Sequence, residues 1–201
     1  LTHELVLKLK KETGISIVSH LTCVGSDREE IYRILKNYHD NGILNIMALR
    51  GDPPVGEKEF TKPADGFEHA WELVAFIKEH FPDMGVGVAG FPEGHPETPN
   101  RLLEMKYLKQ KVEAGADYIC TQLFFDNRDF YDYRERCELA GIDIPIVAGI
   151  MPVTSMKNLE RMAELALGAR IPGKLMRSLN LTSGKGHVSK MGTLWATQQV
   201  L

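Results

Sequence analysis

One unit recurs five times along this chain: an amphipathic helix, a glycine or proline stop, and a short apolar run. Helices are expected at 2–12, 27–41, 65–80, 98–114 and 128–140. The runs that follow them are Ile15-Ser16-Ile17-Val18, Ile46-Met47-Ala48-Leu49, Val86-Gly87-Val88-Ala89, Tyr118-Ile119-Cys120-Thr121-Gln122 and Ile144-Pro145-Ile146-Val147-Ala148-Gly149. Gly14, Gly42, Gly115 and Gly141 each follow a helix, where a left-handed residue closes the last turn. Ser26 or Asp27 is placed to cap the second helix. Strands alternating with helices form right-handed βαβ units, and such units build a parallel sheet. Two further helices, 155–167 and 189–201, flank a glycine-rich surface loop at 182–186.

Two α/β architectures fit. A (β/α)8 TIM barrel typically needs about 250 residues and eight strands, whereas this chain of 201 residues offers five. An open flavodoxin-like sheet matches the count, but its ligand sits in one crevice where the strand order reverses. Here polar residues end all five strands, which suits a barrel mouth better. The expectation is a single barrel domain over 1–201, incomplete at both ends.

Composition removes several functions. Net charge of −3 and a pI near 6.2 oppose a nucleic-acid surface, which needs clustered Lys and Arg. No apolar run reaches the roughly 20 residues that span a bilayer, and Leu1-Thr2-His3-Glu4 is no signal peptide. Cys23, Cys120 and Cys137 lack CxxC spacing, and the seven histidines lack HxH or HxxxH spacing. Free thiols, a cytoplasmic location and no metal site are expected.

The strand ends carry the chemistry. Ser19-His20-Leu21-Thr22-Cys23, Ala48-Leu49-Arg50-Gly51-Asp52-Pro53-Pro54 and Thr121-Gln122-Leu123-Phe124-Phe125-Asp126 each turn abruptly from apolar to polar. Arg50 and Asp52, on a turn that Gly51 permits, suit a phosphate or a polar heteroaromatic ring. The alternative is a plain turn with a surface Arg–Asp pair. Phe91-Pro92-Glu93-Gly94-His95-Pro96-Glu97 puts an aromatic and an imidazole on a proline-stiffened loop. Gln122 offers both donor and acceptor, matching the amide-like edge of a pterin or flavin; the alternative is an amide satisfied by neighbouring backbone. Phe124 and Phe125 read as packing. Gly85-Val86-Gly87-Val88-Ala89-Gly90 matches GxGxxG, but its glycines lie inside a strand, so no dinucleotide turn is expected. Small residues there leave room for a flat ligand or a close neighbour. No Lys stands at a strand end, and no GxSxG is present, so a bound cofactor is expected to carry the reaction.

Taken in order, His20-Leu-Thr-Cys23, Ala48-Leu-Arg-Gly-Asp52, Phe91-Pro-Glu-Gly-His-Pro-Glu97, Lys111-Val-Glu-Ala-Gly-Ala-Asp117, Thr121-Gln-Leu-Phe-Phe-Asp126 and Gly149-Ile-Met-Pro152 resemble the methylenetetrahydrofolate reductase family. The resemblance runs from about residue 3 to the last residue. It implies a (β/α)8 barrel with non-covalent FAD at the C-terminal strand ends. It also implies a hydride passing from NADH or NADPH through the flavin to 5,10-methylenetetrahydrofolate. The cofactor contacts implied are His20, Arg50, Gly51, Asp52, His69, Ala70, Phe91, His95, Glu104 and Lys111. Asp52 also tunes the flavin and contacts folate, and Gln122 binds folate. A further family glutamine falls at Asn158. The partners implied are small molecules, with a homo-oligomer allowed. The family's opening strand bears a proton-donating glutamate in a Phe-Glu-Phe-like run that is not found here, nor is the aromatic-rich closing strand. The five strands would be the third to seventh, and the isolated piece is expected to be weakly stable and inactive. A non-catalytic flavin- or folate-binding module and a flavin-free pterin-handling transferase are the alternatives.

Overall fold

The computed structural model describes residues 2–53, 61–166, 168–181 and 186–201. Thirteen elements are assigned within them: α1 Thr2–Thr13, β1 Val18–Thr22, α2 Arg28–Asp40, β2 Asn45–Leu49, α3 Ala70–His80, β3 Gly85–Gly90, α4 Arg101–Glu113, β4 Tyr118–Thr121, α5 Asn127–Leu139, β5 Ile146–Val147, α6 Met156–Leu165, α7 Gly173–Asn180 and α8 His187–Val200. The strands join in chain order, β1-β2-β3-β4-β5. A doubly wound sheet reverses its strand order and a barrel does not. The sequential order is therefore that of a (β/α)8 barrel wall, with five of the eight strands. Pro54 and the glycine-rich loop at 182–185 lie outside the described residues.

The chain divides into two compact units. The first runs from the N-terminus to Ala89 and takes in Leu108–Ile119. Its sheet has two unlike faces. In the parallel register Ser19 pairs with Ile46 and Ile46 with Val86, while Leu21 pairs with Ala48 and Ala48 with Val88. All six are buried, together with the helix residues Ile31, Leu35, Leu73, Val74 and Ile77. Period-two alternation puts His20, Met47 and Gly87 in one row on the opposite face. His20 and Val18 are exposed there. The glycines of the GxGxxG run lie inside β3, and a Cβ on Gly87 would overlap the Tyr118 ring. They accommodate a close neighbour.

Helix ends follow the expected chemistry. Asp27 caps α2 by accepting from Glu30 N at 2.8 Å. Gly14, Gly42, Gly115 and Gly141 all take positive φ. Three of the shifted boundaries have a local cause. Helix α3 starts at Ala70 and not at 65, because the Glu72 carboxylate accepts from the His69 and Glu68 amides and caps the helix there. Strand β1 starts at Val18, where pairing with Asn45 begins, and the earlier Ile15 is exposed. Strand β5 shrinks to two residues behind Pro145, which has no amide for the ladder.

The second unit comprises Gly90–Tyr107 and Cys120–Leu201. Its core gathers Phe125, Val153, Leu159, Met162, Leu175 and Leu179, with Trp195 packed against them. Helix α7, which no expectation covered, supplies two of these.

At the N-terminal ends of β3 and β4, Asp117 ties three elements. Its carboxylate accepts from Val86 N at 2.6 Å and Lys78 Nζ at 2.8 Å, and its own amide donates to Val86 O. Asp117→Ala should cost about 1–2 kcal/mol, chiefly through the orphaned Val86 amide. Denaturant unfolding of the variant beside the parent checks this.

Candidate functional site

In the first unit the motif residues gather at the C-terminal ends of β1 and β2. The Cys23 amide donates to the carbonyls of both Leu49 and Arg50, and its Sγ donates to Leu49 O at 3.4 Å. The two strands therefore end together. Cys23 is fully buried. Burial, reinforced by the Glu72 carboxylate and opposed by Arg50, pushes its thiol up to about 12. That thiol is a structural bracket and not a nucleophile.

Beyond β2, Gly51 takes φ +87°, and a Cβ on it would lie 2.6 Å from Val24 Cγ2. Only glycine fits this turn. Arg50, half-buried, curls back so that its Nε donates to Gly51 O at 3.3 Å. Asp52 stands exposed beside it. His69 is exposed just ahead of α3, and Ala70 is the first residue of that helix. Glu72, whose charge acts on Cys23, brings this first turn near the ends of β1 and β2. Burial raises the Glu72 carboxyl, but the His69 and Glu68 amides outweigh it and the net pKa is lowered. Its capping contribution is present above the ordinary carboxylate range and is lost as pH falls through the lowered value. Lys111, from α4, donates to Ala89 O near the end of β3 at 2.6 Å.

In the second unit the loop after β3 carries Phe91 and His95 edge to face, with ring centroids 4.8 Å apart. The His95 amide donates to the buried Glu104 carboxylate at 2.9 Å, and His95 Nδ1 accepts from Glu97 N at 3.2 Å. Neutral His95 therefore keeps its proton on Nε2. Glu104 acts here as an anchor for that loop. Gln122 N donates to Gly90 O, which sets the end of β4 beside the end of β3. The Gln122 Oε1 accepts from Leu123 N at 2.8 Å, so its Nε2 end is the one that can donate to a ligand. Phe124 and Phe125 are buried packing, as expected. Asn158 accepts from Thr154 N at 3.1 Å, a local structural bond ahead of α6.

Burial raises the Glu93 carboxyl above its ordinary value, against the opposing pull of Arg170. Arg170 lies 77 residues away in sequence and no spacing rule links the two. Arg101 and Arg136 also escaped notice, although both bond the Pro92 carbonyl. Among the described residues no helix is long and apolar enough to cross a membrane, and no group of three His, Cys, Asp or Glu is placed to hold a metal. All three cysteines are free.

Comparison with known proteins adds a family. The profile described as Methylenetetrahydrofolate reductase matches residues 1–201. The chain is 40% identical over 171 residues to a 5,10-methylenetetrahydrofolate reductase of Salmonella typhimurium, covering 85% of this chain and 55% of that protein. It is 39% identical over 209 residues to methylenetetrahydrofolate reductase (NADH) 1 of Arabidopsis thaliana, covering 98% of this chain and 35% of that one. The chain thus spans about half the length of the bacterial relative and about a third of the plant one. Among solved structures, a Clostridium thermocellum protein that binds two copies of 5-methyl-5,6,7,8-tetrahydrofolic acid aligns with a TM-score of 0.59 at 17% identity, over 96% of this chain and 64% of that one. A 2,3-dimethylmalate lyase aligns at 0.53 and 9% identity, over 84% of this chain and 56% of that one. These two likenesses concern the fold.

The thiol assignment is testable. At pH 8 a pKa near 12 leaves roughly one Cys23 in ten thousand as thiolate. Cys23 should escape alkylation in the folded protein and react once it is denatured, as peptide mass mapping reads. Rapid labelling of native Cys23 would contradict the bracket role.

Proposed function

The chain belongs to the methylenetetrahydrofolate reductase family, and from that premise we propose that the complete protein around it reduces 5,10-methylenetetrahydrofolate to 5-methyltetrahydrofolate. The hydride donor is NADH or NADPH and the cofactor non-covalent FAD. The family match over the whole chain carries this reading, supported by where the motif residues stand. His20 lies within β1, and Arg50, Gly51, Asp52, Phe91, His95 and Gln122 lie just past β2, β3 and β4. Active sites of parallel barrels are built from such C-terminal strand ends. Free thiols suit a reducing compartment, the cytoplasm.

The residues fit a flavin nucleotide. The Gly51 turn, packed against Val24 and Thr22, holds Arg50 and Asp52 at the end of β2. Helix α3 opens near Cys23, with Ala70 as its first residue and His69 exposed just ahead of it. When bound, FAD supplies a two-electron relay between nicotinamide and folate.

The chain's own residues do the rest. Arg50 and His20 offer cationic or donor groups to the cofactor on the first unit. On the second, His95 Nε2 donates, while Phe91 provides an apolar edge for a ring. The Asp52 carboxylate disfavours added negative charge at the flavin and orients the pterin. Gln122 Nε2 donates to a pterin acceptor atom while its Oε1 stays held by Leu123 N. The proton that opens the folate's five-membered ring is assigned to the glutamate of the family's opening strand. Glu93 is unsuited to that task because its carboxylate is held by Arg170.

Anaerobic mixing of the purified complete protein with NADH or NADPH should bleach its flavin absorbance, and methylenetetrahydrofolate should restore it. A preparation without flavin absorbance would overturn the reading. Asp52→Asn should raise the flavin potential and slow folate reduction more than flavin reduction by nicotinamide. Equal losses in both half-reactions would leave Asp52 a turn residue only. Gln122→Glu should weaken folate binding about tenfold, about 1.4 kcal/mol, with FAD content unchanged. Loss of FAD in that variant would point to a purely structural amide.

A further inference from the structure

The loop after β3 is held by more charge than a connector needs, all within the second unit. The Pro92 carbonyl accepts from Arg101 Nη1 at 3.1 Å and from Arg136 Nη2 at 2.9 Å. The next side chain, Glu93, is only 5% exposed, and its carboxylate accepts from Arg170 N at 2.7 Å and Arg170 Nε at 2.9 Å. The same guanidinium donates to Asp129 in the first turn of α5. Gly168 presses on the loop, since a Cβ there would lie 2.5 Å from Gly94 O. His95 N is held by Glu104. Residues 92–95 are thus fastened one after another.

Phe91 and His95, both half-buried, stand two residues to either side of Glu93. Their edge-to-face contact at 4.8 Å spans it. Arg170 is 67% exposed, so solvent screens its ion pairs on the outer side. Their importance is directional. A carboxylate buried as Glu93 is requires a charged partner, or it must take a proton or swing out to water. Either change moves the two rings beside it.

We propose that Arg170 is a positioning residue, which by bridging Glu93 and Asp129 sets the loop of Phe91 and His95 and thereby governs how tightly the protein holds its flavin nucleotide. This rests on the functional reading above, and it adds a residue that the motif pattern does not contain.

The test measures FAD dissociation constants and melting of the FAD-free complete protein for the parent, Arg170→Met and Arg170→Lys. Arg170→Met should weaken FAD binding about tenfold, the scale of a lost charge-assisted bond, with a melting shift under about 3 °C. Arg170→Lys should recover part of the affinity. In a His95→Ala background the Arg170→Met effect should fall below about twofold, because the loop's ring contact is already gone. Undiminished FAD affinity in Arg170→Met overturns the proposal, and so does an equal tenfold loss in the His95→Ala background. Should Arg170→Met fail to fold, Asp129→Asn takes its place under the same criteria. A parent protein that binds no FAD removes the functional reading itself, whereas a parent that binds FAD no better than Arg170→Met removes only the positioning role.

Discussion

The parallel register of β1, β2 and β3 is the constraint on which the rest depends. Pairing Ser19 with Ile46 and Val86, and Leu21 with Ala48 and Val88, gathers one dry face under the helices. A slip of one residue would exchange the two faces. His20 would then point into the helices and Leu21 to the face that now carries His20, Met47 and Gly87. Burial of such apolar side chains is worth roughly 1.5–3 kcal/mol each, so the register is strongly specified. The chemistry-bearing face follows from the packing face.

The two ends of the strands differ in how their polar groups are bonded. At the N-terminal ends, Asp117, Lys78 and the Met84 and Val86 backbone form a tie whose groups satisfy one another. At the C-terminal ends Gln122 and His95 each have one bonded end. Gln122 spends its carbonyl on Leu123 N and keeps its amide nitrogen. His95 spends Nδ1 on Glu97 N and keeps Nε2. In each case one end of a two-ended side chain is fixed by backbone, which orients the other end with little loss of rotamer freedom on binding. Cys23 belongs with the fixed parts, because burial and its bond to Leu49 O leave it without reactive character.

Local signals were readable, and long-range ones were not. Helix stops such as Gly42 and Gly141, the Asp27 cap and the burial of Phe124 and Phe125 follow from chemistry within a few residues of each site. So does the rejection of the GxGxxG run, whose glycines lie in β3, Gly87 against the Tyr118 ring. The start of β1 was misplaced by three residues because Ile15 and Ile17 have strand character of their own, while the true start is set by β2. Helix α7 was hidden by its opening Pro172-Gly173, which reads as a turn. The Arg170–Glu93 pair joins residues 77 apart, and nothing in the order of the chain announces it. The raised Glu93 carboxyl has the same origin, since burial is a property of the fold and not of the loop.

Amide hydrogen exchange of the complete protein, with and without saturating FAD and folate, tests the central claim most directly. If ligands sit at the C-terminal strand ends, added protection will concentrate at residues 50–52, 91–95 and 122–123. Exchange around Met84, Val86 and Asp117 will then change little. Protection gathered at those N-terminal ends, or spread evenly over both, would contradict the account.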